Sequence, residues 1–386
     1  MHPLSFRAPA GLLLGLALLG ACHEPVDDMI TPPAPKPVAV VANWVARADS
    51  AQAALNQYFW APTGQYYLQN NQGKPDFNYW WQAHGLDILL DGYQRTRVLD
   101  YITKMQQLQQ GTKKQNGNTY LNTYYDDMAW HALANLRAFQ ITQDASYKAT
   151  ALLLWADLKT GWNTNQGGGI AWRKTQLDYK NTPANAPVAI LAARLYQLDR
   201  NPDDLAWATK IYDWQKKNLV DPTTGAVWDG LNRLGNGQAD KDWRFSYNQG
   251  VYLGAGLELY RATQQSSYLD DANRTAGYVL NDSQLSPGGI LRDEGSGDGG
   301  LFKGILARYL ALLATEPAVP AATRASYVSF LKFNADNLYK QGLRRPQYLF
   351  NTNWTTQPGG TVDGSTQMSG VMLFEVMADL QARKLL

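Results

Sequence analysis

The chain contains one cysteine in 386 residues, at position 22, so no disulfide can form within it. Histidine is almost as scarce. Of four, His2 and His23 lie ahead of the folded part, and His84 and His131 alone are too few for a histidine-built metal site, so no metal or other cofactor is expected. Charge of one sign is lacking too. Lys and Arg number 35 against 33 Asp and Glu, the signs are interspersed and the net charge is +2, which argues against a groove for a polyanion and against nucleic acid as a partner. Alternating apolar and polar residues, the mark of half-buried strands, are few. The longest N-terminal apolar run, residues 11–19, is too short to span a bilayer as a mature helix.

What is present begins with that run. Arg7 precedes it and Leu19-Gly20-Ala21-Cys22 closes it, which resembles the lipobox of bacterial lipoproteins. Residues 1–21 are therefore expected to be a lipoprotein signal peptide and Cys22 the lipidated first residue of the mature chain, leaving no thiol for chemistry. Residues 22–40, with Pro25, Pro32, Pro33, Pro35 and Pro37, read as an extended tether. The expected product is an exported, membrane-anchored monomer. His23 rather than aspartate after the cysteine points to the outer membrane, on its periplasmic or surface face. Residues 41–386 show no comparable linker, and 45 % hydrophobic with 12 % aromatic content suits one large core.

Apolar periodicity over that domain predicts twelve helices, at about 41–58, 80–95, 97–110, 126–141, 145–160, 181–198, 203–218, 247–263, 267–281, 301–314, 321–338 and 367–383. The even-numbered helices each open on a polar and aromatic cluster, and their starts recur at intervals of roughly two helices plus a loop. They are rich in alanine and glycine, which permits close packing, while the odd helices carry charge on one face. The pattern predicts an all-α (α/α)6 barrel of six helical hairpins, even helices inside and odd helices outside. An open superhelix is the architectural alternative. In the closed form all six inner helices point one way, so their N-termini and preceding loops ring one mouth. Glycine and tryptophan concentrate in those loops.

The chemistry-bearing stretch is Asn122-Thr123-Tyr124-Tyr125-Asp126-Asp127-Met128-Ala129-Trp130, two adjacent acids among aromatics at a helix start. Two carboxylates are the minimum for cleaving a glycosidic bond, and aromatic faces match the C–H faces of a pyranose. Adjacent acids can reach the separation of about 5 Å that a retaining mechanism requires, and their repulsion leaves one protonated to higher pH than the other. Asp-Asp occurs four times, however, and Asp203-Asp204 behind Asn201-Pro202 reads simply as a helix start.

Tyr125-Asp126-Asp127-Met128-Ala129-Trp130, with Trp81-Gln82-Ala83-His84, Lys180-Asn181-Thr182-Pro183-Ala184-Asn185-Ala186-Pro187, Tyr247-Asn248-Gln249-Gly250 and Phe302-Lys303-Gly304, resembles glycoside hydrolase family 76 from about residue 45 to 383. The resemblance implies an (α/α)6 barrel and endo-acting, retaining hydrolysis of α-1,6-linked mannan, with Asp126 as nucleophile and Asp127 as general acid/base. Trp81 and Trp130 are candidate sugar platforms. His84 and Asp87, three apart on a helical face, could hold a hydroxyl or pair with each other. Tyr125, Trp172, Lys180, Asn181, Asn185, Tyr247 and Asn248 are further candidates to face substrate, Lys180 being equally able to pair with an acid, and Asp229 could bind a hydroxyl or form a turn. Transglycosylation, another glycan as substrate, and a non-catalytic glycan-binding role are the alternatives.

Overall fold

The computed structural model describes residues 43–386, so the expected signal peptide, the expected lipidation at Cys22 and the expected tether lie outside the described residues. The twelve helices are α1 (Trp44–Phe59), α2 (Tyr79–Thr96), α3 (Asp100–Gln115), α4 (Tyr125–Thr142), α5 (Ala145–Lys159), α6 (Thr182–Asp199), α7 (Pro202–Leu219), α8 (Ser246–Thr263), α9 (Ser266–Asn281), α10 (Gly299–Ala314), α11 (Ala321–Lys340) and α12 (Gly364–Ala382). The even helices pack side by side in chain order, and α12 packs back on α2, which closes the ring and rules out the open superhelix. Each odd helix covers the outside, with α1 against α12. The fold is the expected (α/α)6 barrel.

Closure is made by side chains at the seam. Gln52 on α1 donates to Ile88 O on α2 at 2.7 Å and to Glu375 on α12 at 3.0 Å. Glu375 also accepts from Arg95 of α2 at 2.9 Å, so a buried charge is paired across the junction. Close approach elsewhere depends on glycine. A Cβ on Gly250 would stand 2.7 Å from Leu306 Cα, and one on Gly304 would stand 2.7 Å from Ser369 Cα, so α8, α10 and α12 meet backbone to backbone.

The connections are of two kinds. From inner to outer helix the chain needs only residues 97–99, 143–144, 200–201 or 264–265, where Arg97, Gln143, Arg200 and Gln264 each adopt a left-handed conformation that ends the inner helix, or the six residues 315–320 after α10. Arg97 is why α3 starts at Asp100, later than periodicity suggested. From outer to inner helix the chain runs through long segments, which carry β1 (Trp60–Ala61), β2 (Tyr66–Tyr67), β3 (Ala171–Arg173), β4 (Gln176–Asn181), β5 (Gly230–Leu231), β6 (Leu343–Arg344) and β7 (Leu349–Phe350). The antiparallel order β3-β4-β5 forms the largest sheet, and the other strands form two hairpins.

A repeated device anchors these segments. The fourth residue of α2, α6 and α8 is an amide, Gln82, Asn185 or Gln249, which pairs with both the N–H and C=O of Tyr67, Ile170 or Val227 at 2.7–3.0 Å. Gln367 of α12 holds Phe350 N–H and Tyr348 O in a similar way, at 3.2 and 3.0 Å. In α4 that position is Met128, and the segment before it is held instead by a bridge between Tyr124 and Arg173. A side-chain amide presents donor and acceptor as a strand edge does, so it satisfies a buried backbone pair that has no strand partner.

Candidate active site

Asp126 and Asp127 lie in the first turn of α4, where unpaired backbone N–H groups and the helix dipole favour negative charge. The two adjacent carboxyls have different surroundings. Asp126 Oδ1 accepts the backbone N–H of Asp127 at 3.0 Å, and Oδ2 accepts the Trp172 indole N–H at 3.0 Å. Burial nonetheless pushes Asp126 up to about 7, those two donors working against it and the nearby Asp229 charge adding to it. Asp127 is raised well above the carboxylate range by burial first, then by the charges of Asp126 and Asp298, and among the described residues no hydrogen bond opposes the rise. Asp126 is thus the member that ionises first, and Asp127 the member that keeps its proton.

A second acid stands behind Asp126. Asp229, 5 % exposed, accepts from Tyr179 Oη at 3.0 Å, from Tyr247 Oη at 3.2 Å and from Asn248 Nδ2 at 2.9 Å. The Tyr179 ring meets Trp172 edge-on at 5.7 Å, so a continuous set of contacts runs from Asp229 through Tyr179 and Trp172 to Asp126. Tyr247 stacks face to face on Phe302 at 3.8 Å. On the other side of the mouth, Trp80 lies 6.1 Å from Trp130, and His84 touches both rings. Burial lowers His84 to about 3, so it is a neutral imidazole.

Several expected site residues have other duties. Trp81 and Trp130 are both buried, at 1 % and 4 % exposed, so neither of the two expected platforms offers an open face, whereas Trp80, one residue earlier than Trp81 on α2, is half-buried against Trp130. Tyr125 points away toward α5, its hydroxyl 3.3 Å from Thr160 and its ring against Gly161. Asp87 pairs with Arg137 at 2.9 Å rather than with His84, inside an ion network that includes Asp91 and Arg308. Lys180 is buried and donates to Gly169 O at 2.8 Å, and burial lowers it to about 8, the charge of Asp178 opposing the fall. Asn185 is occupied by Ile170, and the Asn181 side chain caps α6 through Ala184 N–H at 3.3 Å. Asp203, as expected, belongs to a helix start capped by Asn201. Asp298 escaped the sequence reading. It sits inside the glycine run 295–300, and its only sequence signal was an acid directly before a helix in the mouth-forming series.

Fold and mouth together define a class, the helical-barrel glycoside hydrolases: paired half-buried acids of unequal affinity for a proton, framed by indole and phenol groups, at the N-terminal rim of an inner helix ring. Residues 43–384 match glycosyl hydrolase family 76, and the chain belongs to that family. It is similar to the GH76A α-1,6-mannanase of Salegentibacter sp. HEL1_6, at 45% identity and a TM-score of 0.85 over 88% of this chain and 100% of that one. An inactive variant of that relative, with two adjacent aspartates replaced by alanine, is solved in complex with α-1,6-mannotetrose. The mannan endo-1,6-α-mannosidase DCW1 of Saccharomyces cerevisiae is 27% identical over 310 residues, 70% of this chain and 66% of that protein. The chain spans 50% to 66% of the length of three of the curated yeast relatives it matches.

Proposed function

We propose that this protein is an endo-acting, retaining α-1,6-mannanase in which Asp126 is the nucleophile and Asp127 the general acid/base. The observation that carries the reading is the unequal environment of the two neighbouring carboxyls. Asp126, the first to ionise and oriented by two N–H donors, is equipped to attack the anomeric carbon. Asp127, held protonated by burial and by two negative neighbours, is equipped to give its proton to the departing glycosidic oxygen. After departure Asp127 is ionised and can take a proton from the water that hydrolyses the glycosyl–Asp126 ester, so both groups return to their starting states. Asp229, with Tyr247 and Asn248, borders the Asp126 side, where the sugar bearing the reacting carbon would lie. The mannan substrate is supported by the likeness to the Salegentibacter enzyme and its mannotetrose complex.

The test is a digest of unbranched α-1,6-mannan by the full chain beside Asp126→Asn and Asp127→Asn, following new reducing ends and the anomer first released. Wild type is expected to release oligosaccharides as the α-anomer, and each variant to lose at least about a thousandfold in turnover. Near-normal turnover in either variant, or release of the β-anomer, would overturn the assignment of roles.

A further inference from the structure

Asp298 ends the connection between α9 and α10, and its Oδ1 accepts the indole N–H of Trp80 at 2.9 Å and of Trp81 at 3.0 Å. Consecutive helical residues leave the axis about 100° apart, so two neighbouring indoles that converge on one oxygen hold the carboxylate in a single orientation. Among the described residues, Oδ2 receives no protein donor and no lysine or arginine pairs with Asp298, which is exposed at the mouth. Asp229 presents the opposite case, since three donors already occupy its two oxygens. The bridge also spans the ring, because α12 stands between α2 and α10.

The surroundings say what such an oxygen would take. A fixed carboxylate is an acceptor only, and with no cation beside it the matching ligand is a neutral hydroxyl donor, not an anion. Next to it are an apolar wall, the half-buried Trp80 ring with Trp130, and a second polar group without a partner, His84 Nε2, which is buried against those two rings. Rings for a sugar face and polar atoms for its hydroxyls stand together. Asp298 reaches the Asp127 face of α4 through Trp80, whose ring packs on Trp130 one helical turn after Asp127, whereas Asp229 reaches Asp126 through Tyr179 and Trp172, so the two acids border different halves of the mouth. An acid must lie within hydrogen-bond reach of the oxygen it protonates, so the half that borders Asp127 is the leaving-group half.

We propose that Asp298, oriented by Trp80 and Trp81, accepts hydrogen bonds from hydroxyls of the sugar on the leaving-group side of the scissile bond and fixes that sugar beside Asp127. The inference rests on the mannanase reading above and deepens it by naming a specificity-determining contact.

Calorimetric titration of α-1,6-mannotetraose into the full-length Asp126→Asn protein gives a reference affinity without turnover. Adding Asp298→Asn, which keeps an acceptor for the two indoles but removes the charge, should weaken binding about tenfold to a hundredfold. Trp80→Phe, which keeps a ring but deletes one orienting donor, should weaken it by a smaller factor of about three to ten. A change below about twofold for Asp298→Asn, with an unchanged melting midpoint, overturns the proposal. If Asp298→Asn shifts the midpoint, Trp80→Phe decides by the same measure. Absence of any binding by the reference protein would instead refute the mannan substrate, and the mannosyl contact with it, without reference to Asp298.

Discussion

Trp172→Phe isolates one hydrogen bond at the reacting centre. The indole N–H donates to Asp126 Oδ2 at 3.0 Å, while the ring is held by Tyr124 at 5.2 Å and Tyr179 at 5.7 Å. Phenylalanine retains most of that packing and removes only the donor. A hydrogen bond to a charged group contributes about 1.5–3 kcal/mol, and one pKa unit corresponds to about 1.4 kcal/mol. The lost bond favoured ionised Asp126, so its removal raises Asp126 by about one to two units above its value of about 7. In the role proposed for it as nucleophile Asp126 must be ionised, hence the acidic limb of kcat/KM against pH moves toward higher pH by that amount, and below it the rate falls about tenfold per unit. Reducing-end release from linear α-1,6-mannan between pH 4 and pH 9 reads the limb directly, with circular dichroism to establish that the variant is folded. An acidic limb that stays in place in a folded variant would refute the claim that this indole sets the state of Asp126.

Two further outcomes concern stability. Asp127 has a folded-state pKa raised above its unfolded value, so in the pH range between the two the unfolded chain binds fewer protons, and the carboxyl costs stability as pH rises from about 4. Asp127→Asn should therefore melt higher than wild type at pH 7.5, with the gap closing toward pH 4; a gap independent of pH would contradict the sign. Gln249→Leu leaves the N–H and C=O of Val227 without partners at a buried position and should cost about 2–4 kcal/mol in chemical denaturation; a cost below about 0.5 kcal/mol would mean that the amide pair does not anchor the segment before α8.

Much of the architecture was legible because its causes are local. Helix periodicity, the polar clusters at every second start and the alternation of short and long connections depend on residues within a turn or two of each other, and they locate all twelve helices. The closed ring follows from them almost by necessity, since six apolar inner faces need one another. The acid pair was legible for the same reason: Asp126 and Asp127 are neighbours in the chain, and their aromatic company is too.

The rest depends on rotation and on distance. Whether Trp80 or Trp81 faces the mouth, and whether Tyr125 looks toward α5 or into the cleft, is decided by the angular setting of α2 and α4 in the barrel, which a one-residue step changes by about 100°. Asn185 and Lys180 look like site residues in sequence because they sit at an inner helix start, but the backbone of residues 169 and 170 claims them first. Asp87 is taken by an arginine fifty positions away. The sequence by itself determined the barrel, its polarity and the placement of two adjacent acids at an inner helix start, all properties of short stretches. Tertiary structure alone decided that Asp229 stands near one acid and Asp298 near the other, because a carboxyl's proton affinity is set by burial and by charges that the fold, not the chain, brings close.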